Sequence, residues 1–471
     1  MAPQSMRRPM RMRVVALTPA AQEKVLASRR DSSREAERIA VRIVEDVRRR
    51  GDAALFAYTK KFDRVALSAK KVWVAPAELK QAVRKVPADF LAAIDHAARN
   101  IRAVARKQKP LEWNIEVEPG VSAGQRVRAI ESIGCYLPGG RFSLVSTMLM
   151  TVVPAQEAGV RQIVVVSPQP GAALLAAAER LGVRSVARVG GAQAVAALAY
   201  GTKSIPRVDK IFGPGNRFVT AAKRLVSADC AIDMLAGPTE AIVFADRGNP
   251  QFIAADLIAQ AEHDPDAISI FVTTSQRLGQ AVAAEIERQL DALPDTNLAR
   301  RSLANNGVVL VASNLAAAIR FVNRFAPEHL TLPDNSSALL DRIDSAGSIF
   351  LGDWSAQTFG DYASGTNHVL PTGGAARTRG GLSVTDFVKC ISIQEVSESG
   401  FQRLAPVAAE FARAEGLDAH ARSVQVRNGS VQNGEPRSGG ARNAALRKDE
   451  ARNGAARNIA AQKDANKGAR K

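Results

Sequence analysis

Sulfur is scarce in this chain. Its three cysteines, Cys135, Cys230 and Cys390, make no CxxC pair and no even framework. That excludes a disulfide-stapled secreted scaffold and points to a reducing, cytoplasmic compartment. No apolar run approaches the ~18 residues that a membrane span needs. The opening stretch MAPQSMRRPMRMRVVALTPAAQ carries Arg7, Arg8, Arg11 and Arg13 but no apolar core for a secretory signal. It reads as a short flexible lead-in. Two signatures are also missing: GxGxxG, the dinucleotide fingerprint, and HExxH, the zinc-protease helix.

The remainder has the balance of a soluble globular enzyme, with 46% hydrophobic and 23% charged residues. A length of 471 residues is expected to fold as roughly three domains. The formal net charge of +18 invites a nucleic-acid reading, yet its distribution argues otherwise. From Arg427 onward eleven Lys and Arg face four Asp and Glu, so a surplus of seven sits in the last tenth of the chain. That tail is rich in Asn, Gly, Ala and Arg and has no aromatic residue, so it cannot bury enough surface to order itself. A solvated basic tail that sticks weakly to polyanions is expected, not a specific nucleic-acid site.

Between the termini the pattern is regular. Ser32-x-x-Glu35 has capping-box spacing, Ile39, Ile43, Val44 and Val47 follow at helical intervals, and Gly51 supplies the stop. Residues 76–108 continue as helices, with a short strand near KVWVAP. From 128 onward short apolar runs alternate with Ala/Leu-rich helical stretches: RQIVVVSP, VDKIFG, EAIVFAD, AISIFVTTS and GVVLVAS each precede one. This is the signature of a parallel α/β sheet. Such sheets bind ligands at the carboxyl ends of their strands, where VGGAQAV (189–195) and IFGPGNRF (211–218) lie. These loops suit a phosphate at a helix N-terminus, or serve as structural turns.

The five histidines are His96, His263, His329, His368 and His420. His96 lies in an alanine-rich helix and reads as structural; the others sit in QAEHD, APEHL, GTNHVLP and EGLDAH. Gln260 and His263 are three apart, so on a helix they share one face and can converge on a metal, a ligand or water. Glu328 and His329 set a carboxylate beside an imidazole at an element boundary, which suits two separate proton transfers. With Asp361 and His420, the Gln260–His263 pair would form an N/O set suited to zinc.

The blocks GCYLPGGR, GGAQAVAALAYGT, FGPGNRFVTAAKRLV, IDMLAGPTE, LIAQAEHDPDA, FAPEHL, GDYASGTNHVLPT and EGLDAH occur in that order. Together they resemble the histidinol dehydrogenase family, which carries out the last step of histidine biosynthesis. The resemblance runs from about residue 30 to 425. It implies a zinc- and NAD-dependent homodimer with shared active sites that oxidises L-histidinol twice, through the aldehyde, to L-histidine. Gln260, His263, Asp361 and His420 match the family's zinc ligands, one zinc per subunit, with His420 contributed by the partner subunit. Glu328 and His329 match its acid–base pair, and Tyr136, Gln193 and Asn216 its NAD contacts. Thr239 and Glu415 match substrate contacts, as do Gln260, His263, His329, Asp361 and His420.

The architecture expected is α/β. A flexible N-terminus (1–30) and a helical segment contributing to the first α/β domain (31–127) precede two Rossmann-like parallel-sheet domains, 128–247 and 248–385. The second carries the zinc and acid–base residues. A C-terminal helical dimer-exchange segment (386–426) and a disordered basic tail (427–471) follow. Three features depart from the commonest family pattern: Thr239 in place of serine, Cys135 before Tyr136, and the stretch RFSLVSTMLMTVVPAQEAGV after the glycine pair. The alternative readings are a paralogue that oxidises another small polar alcohol, such as a sulfonated diol, and a nucleic-acid-associated protein built around the tail.

Overall fold

The computed structural model describes residues 11–29, 34–139, 144–333 and 337–432. Residues 1–10 of the expected lead-in, 141–143 of the variant stretch and 433–471 of the expected disordered tail lie outside the described residues. The chain divides into two compact units: residues up to Leu111 together with Val127–Cys390, and Glu112–Arg126 together with the residues from Ile391 on.

The first unit contains two parallel sheets. One has five strands in the order Val186–Ala187, Gln162–Val166, Ser132–Tyr136, Lys210–Phe212, Ala231–Ile232. Helices Pro76–Val83, Ala88–Gln108, Val145–Ala158 and Ala172–Arg180 bury apolar stripes on one face. Arg34–Arg50, Asp52–Asp63, Gly191–Tyr200 and Arg217–Val226 cover the other. In Arg34–Arg50 the predicted stripe is realised: Ala36, Ala40, Ile43, Val44 and Val47 are buried, with Glu35 and Glu37 in the first turn and three arginines in the last. That charge arrangement complements the helix dipole.

The other sheet has six strands in the order Val14–Ala16, Val308–Val311, Ile268–Thr273, Glu240–Phe244, His329–Leu332, Ser348–Leu351, all parallel. Its central strands Glu240–Phe244 and Ile268–Thr273 are buried throughout, as parallel strands covered on both faces must be. Two boundaries differ from expectation. Residues 14–27 are ordered: Val14–Ala16 pairs with Val308–Val311 at the sheet edge, and helix Pro19–Ala27 follows with Thr18 capping it. Strand Glu240–Phe244 lies in the six-stranded sheet and not in the first, because an apolar run carries no mark of which sheet it will join.

A third sheet, ordered Val388–Val396, Val121–Ala129, Trp113–Glu118, has most of its residues in the second unit, which also holds helices Glu398–Ala414 and Asp418–Gln432. Helix was expected across both stretches that contribute these strands. The alternation in WNIEVE and the Pro119-Gly120 turn dipeptide mark a hairpin, and Trp113–Glu118 pairs antiparallel with Val121–Ala129. The C-terminal helical segment holds two helices, divided at Gly416, whose φ of 69° is left-handed backbone that glycine adopts without strain, and the second runs to Gln432, past residue 427 where the disordered tail was expected to begin. Among the described residues no helix is long and apolar enough to cross a membrane.

Candidate active site

The acid–base candidates gather at the amino-terminal edge of the six-stranded sheet, opposite the edge where ligands of open α/β sheets usually sit. His329 is the first residue of its strand, in register with Ala241 and Ser348, and Glu328 immediately precedes it. Half-buried Thr239 and buried Glu240 open the neighbouring strand. Helix Pro250–Ala261 brings Gln260, and the short helix Gln357–Tyr362 brings Asp361. Side-chain bonds moor that short helix: Gln357 Nε2 donates to Thr331 Oγ1 (2.8 Å), and the Gln357 N–H to the Asp256 carboxylate.

Glu328, His329 and Gln260 are all buried. The His329 ring stacks on Phe350, centroids 5.9 Å apart, with Nδ1 3.6 Å from Glu328 Oε2 and Nε2 3.7 Å from Asp361 Oδ1. Neither ring nitrogen makes a hydrogen bond, so each faces a carboxylate at just more than bonding distance. The Glu328 carboxylate is fixed on its other side, where Oε2 accepts the Glu240 main-chain N–H at 3.0 Å. Asp361 Oδ2 accepts from Gln260 Nε2 at 3.1 Å, and Gln260 Oε1 is buried with no partner.

Burial opposes charge on His329, but Glu328 and Asp361 outweigh it and raise the imidazole to about 10. Asp361 is lowered: burial pushes it up, and His329, His368 and His263 more than compensate. The unfolded histidine titrates near ~6.5. The stabilisation from its tighter proton is therefore complete below that pH and is lost as pH rises through about 10. Metal-free protein is expected to lose stability across this interval, with a slope of up to about 1.4 kcal/mol per pH unit. Thermal melts from pH 6 to pH 10 check this against His329→Asn, which should flatten the slope. Equal slopes in the two proteins would overturn it.

His263 differs from expectation. The helix ends at Ala261 with Glu262 as its C-cap, so His263 lies exposed in the following turn, not on the helix face of Gln260. Pro265 ends the helical path, because the residue before a proline is pushed out of helical backbone. His263 is still near enough to Asp361 for its charge to act there. Glu415, the C-cap of Glu398–Ala414, and His420, in the first turn of Asp418–Gln432, lie exposed in the second unit. Among the described residues no three His, Cys, Asp or Glu come together as a metal cluster. Gln260, His263 and Asp361 are one amide, one imidazole and one carboxylate, at the negative C-terminal end of helix Pro250–Ala261, which favours a cation.

One further histidine belongs here without having been assigned a role. His368 Nδ1 pairs with the Asp361 carbonyl at 2.8 Å and Nε2 with Thr147 Oγ1 at 3.1 Å; burial lowers its pKa. The GTNHVLP stretch was its only signal. Two thiols are unsuited to nucleophilic work, since burial pushes Cys135 up to about 12 and Cys230 to about 11. Cys390 is exposed on strand Val388–Val396.

Tyr136, Gln193 and Asn216 gather at the carboxyl edge of the five-stranded sheet. Tyr136 ends its strand, and its hydroxyl accepts the Gly191 N–H at 3.1 Å. Gln193 lies in the first turn of Gly191–Tyr200, with Nε2 buried and unpartnered. Asn216 caps Arg217–Val226, its Oδ1 accepting from Phe218 N and Val219 N. The glycine loop between is held rigidly. Gly213 has φ 108°, and a β-carbon there would strike the Tyr136 carbonyl. Asp233 Oδ2 accepts its N–H (2.7 Å), and Lys223 Nζ donates to its carbonyl (3.0 Å) from within a buried Lys223–Asp233 pair.

A model of the histidinol dehydrogenase family matches residues 26–428. The chain is 47% identical over 410 residues to the histidinol dehydrogenase of Geobacter metallireducens, covering 86% of this chain and 94% of that protein. It is 48% identical over 400 residues to that of Geobacillus kaustophilus, covering 83% and 94%. The crystal structure of histidinol dehydrogenase from Elizabethkingia anophelis superposes with a TM-score of 0.86 at 39% identity, covering 89% of this chain and 99% of that one.

Proposed function

We propose, from the premise that this chain belongs to the histidinol dehydrogenase family, that it oxidises L-histidinol to L-histidine in two steps at the Glu328–His329 edge. The observation that carries this reading is the buried pair itself: one carboxylate and one imidazole side by side, each with a second carboxylate or main-chain group fixing its far side. In the complete reaction, RCH2OH, water and two NAD+ give RCOO−, two NADH and three protons.

The residues fit the two groups this chemistry needs. The unpartnered Gln260 Oε1 beside Asp361, with His263 close by, offers oxygen and nitrogen donors suited to zinc. The unpartnered Gln193 Nε2, the Tyr136 hydroxyl and the Asn216 cap line a glycine-rich edge suited to NAD. When bound, NAD supplies the hydride acceptor in both steps and zinc a fixed point for the substrate's amine and imidazole nitrogens.

The chain's own residues move the protons. His329 takes the hydroxyl proton of the alcohol as the first hydride leaves. A cation on Asp361 would withdraw that carboxylate's pull on the imidazolium, so the ring could work as a base at neutral pH. Glu328 takes a proton from the water that attacks the aldehyde, and the hydrate is the second hydride donor. Burial holds Cys135 and Cys230 as thiols, which is consistent with water as the attacking group in this reading. Thr239 would bond the substrate with its hydroxyl, beside Gln260, His263, His329 and Asp361.

The fourth zinc ligand in this reading is the partner's His420, with the partner's Glu415 reaching the substrate, in a cytoplasmic homodimer. The second unit supports such a dimer. Trp113, Ile115 and Val117 alternate along one strand at 49–55% exposure, and Phe411 on helix Glu398–Ala414 is 65% exposed. Apolar surface of that kind marks an interface. Counting NADH per L-histidinol consumed by zinc-loaded protein tests the function. Two NADH with histidine as product are expected. Turnover of a sulfonated diol in place of histidinol would overturn the substrate.

A further inference from the structure

Behind Glu328 stands Arg29, at the end of the stretch expected to be a flexible lead-in. Its guanidinium forks onto Glu240: Nε donates to Oε1 at 2.7 Å and Nη2 to Oε2 at 2.5 Å. Nη1 also donates to the Phe325 carbonyl at 2.6 Å, and Nη2 to the Ala326 carbonyl at 3.4 Å. The guanidinium carbon lies 3.5 Å from the centroid of the Phe325 ring. The two charged side chains are 7% and 3% exposed.

Each of these bonds leads to Glu328. The Glu240 main-chain N–H is the donor that fixes Glu328 Oε2. Phe325 and Ala326 end the helix that delivers Pro327, Glu328 and His329, and Ala326 has a left-handed φ of 50°. That backbone is uncommon for a residue with a β-carbon, so it persists only where neighbours hold it. Glu240 Oε1 also accepts the Gly373 N–H at 3.1 Å, which ties a third segment to the same point. One guanidinium thus joins the strand that binds the Glu328 carboxylate to the turn that presents it.

We propose that Arg29 is a positioning residue for Glu328, its fork fixing the Phe325–Ala326 turn against Glu240 so that the Glu328 carboxylate is held where water must attack the aldehyde. The proposal rests on the reading of Glu328 as the base of the second oxidation. Charge contributes as well as geometry. Burial, with the Glu328 charge beside it, raises Glu240 to about 7 even though Arg29 opposes both. Without Arg29 the buried Glu240 carboxylate would be left beside Glu328 without its ion-pair partner. Lysine cannot replace it, since a point charge does not span two carboxylate oxygens and two carbonyls.

The test uses full-length zinc-loaded protein and measures the alcohol and aldehyde half-reactions separately, with deuterium exchange of peptides spanning 325–332 read in parallel. Arg29→Met strands a buried carboxylate and so penalises folding. Arg29→Met combined with Glu240→Gln removes both charges, and the outcome is decided by that double variant and by Arg29→Lys. Both are expected to slow the aldehyde step about 100-fold at unchanged KM, the loss typical of a small misplacement. The alcohol step should fall less than about tenfold, and exchange across 325–332 should accelerate. Equal loss in both half-reactions, or unchanged exchange, overturns the proposal. If the unmodified protein oxidises neither histidinol nor its aldehyde, the functional reading falls. Exchange then still decides whether Arg29 holds the turn.

Discussion

Glu328→Gln is expected to leave an enzyme that makes one NADH per histidinol and stalls at the aldehyde. The alcohol step should remain within about tenfold of the parent, while the aldehyde step falls by ~10²–10⁴, the usual yield of a positioned base. The separation follows from what the substitution keeps and what it removes. A glutamine oxygen can still accept the Glu240 N–H that now fixes Oε2, so the side chain stays in place. Its basicity is lost, and burial holds Cys135 and Cys230 protonated, so neither of them supplies a thiolate in its place. His329 keeps Asp361 on its other nitrogen and so keeps its part in the first step. Single-turnover absorbance at 340 nm, started once from histidinol and once from the aldehyde, reads the two steps separately. Equal losses would mean that Glu328 serves the imidazole and not the water.

The strand–helix alternation from residue 128 onward was legible because parallel strands buried on both faces read as unbroken apolar runs. What it did not carry was sheet membership. EAIVFAD and VDKIFG look alike, yet Glu240–Phe244 and Lys210–Phe212 belong to different sheets. The choice is made by long-range pairing, for which periodicity has no signal. The hairpin at Trp113–Ala129 is a different matter. Its alternation in WNIEVE and its Pro-Gly turn are visible in the sequence, but they follow directly on a long helical stretch, and six residues of alternation are a short signal beside it.

At the site, residue types were more legible than their surroundings. The polar context of Glu328 and His329 pointed to proton transfer, and both are buried at one sheet edge with Gln260 and Asp361. The edge itself was not foreseen, because the rule that ligands sit at carboxyl ends favoured the glycine loops. Arg29 left no trace at all. Its neighbours are serine and arginine in an apparently loose segment, and its role exists only through contacts with Glu240, Phe325 and Ala326. Supporting residues of this kind escape sequence reading because their chemistry resides in partners hundreds of positions away.

Co-expressed His263→Asn and His420→Asn chains, each with its own tag, are expected to be inactive as separate homodimers and active as the mixed dimer. Structural zinc sites are generally four-coordinate, and a catalytic site needs at least three protein donors. In the proposed site Gln260, His263 and Asp361 of the first unit would be one set of donors, and His420 belongs to the second. If the partner's His420 completes each site, a mixed dimer holds one site with both defects and one with none. It should therefore show about half the parent activity and bind about half the parent zinc, as two-fold symmetry requires. If each chain completes its own site, every site in the mixed dimer carries one defect and the preparation stays inactive. Failure to isolate any doubly tagged species would overturn the homodimer itself. Far-ultraviolet dichroism measured on the same fractions separates a lost ligand from a lost fold, because an intact first unit keeps its parallel sheets whichever histidine is replaced while the zinc content falls.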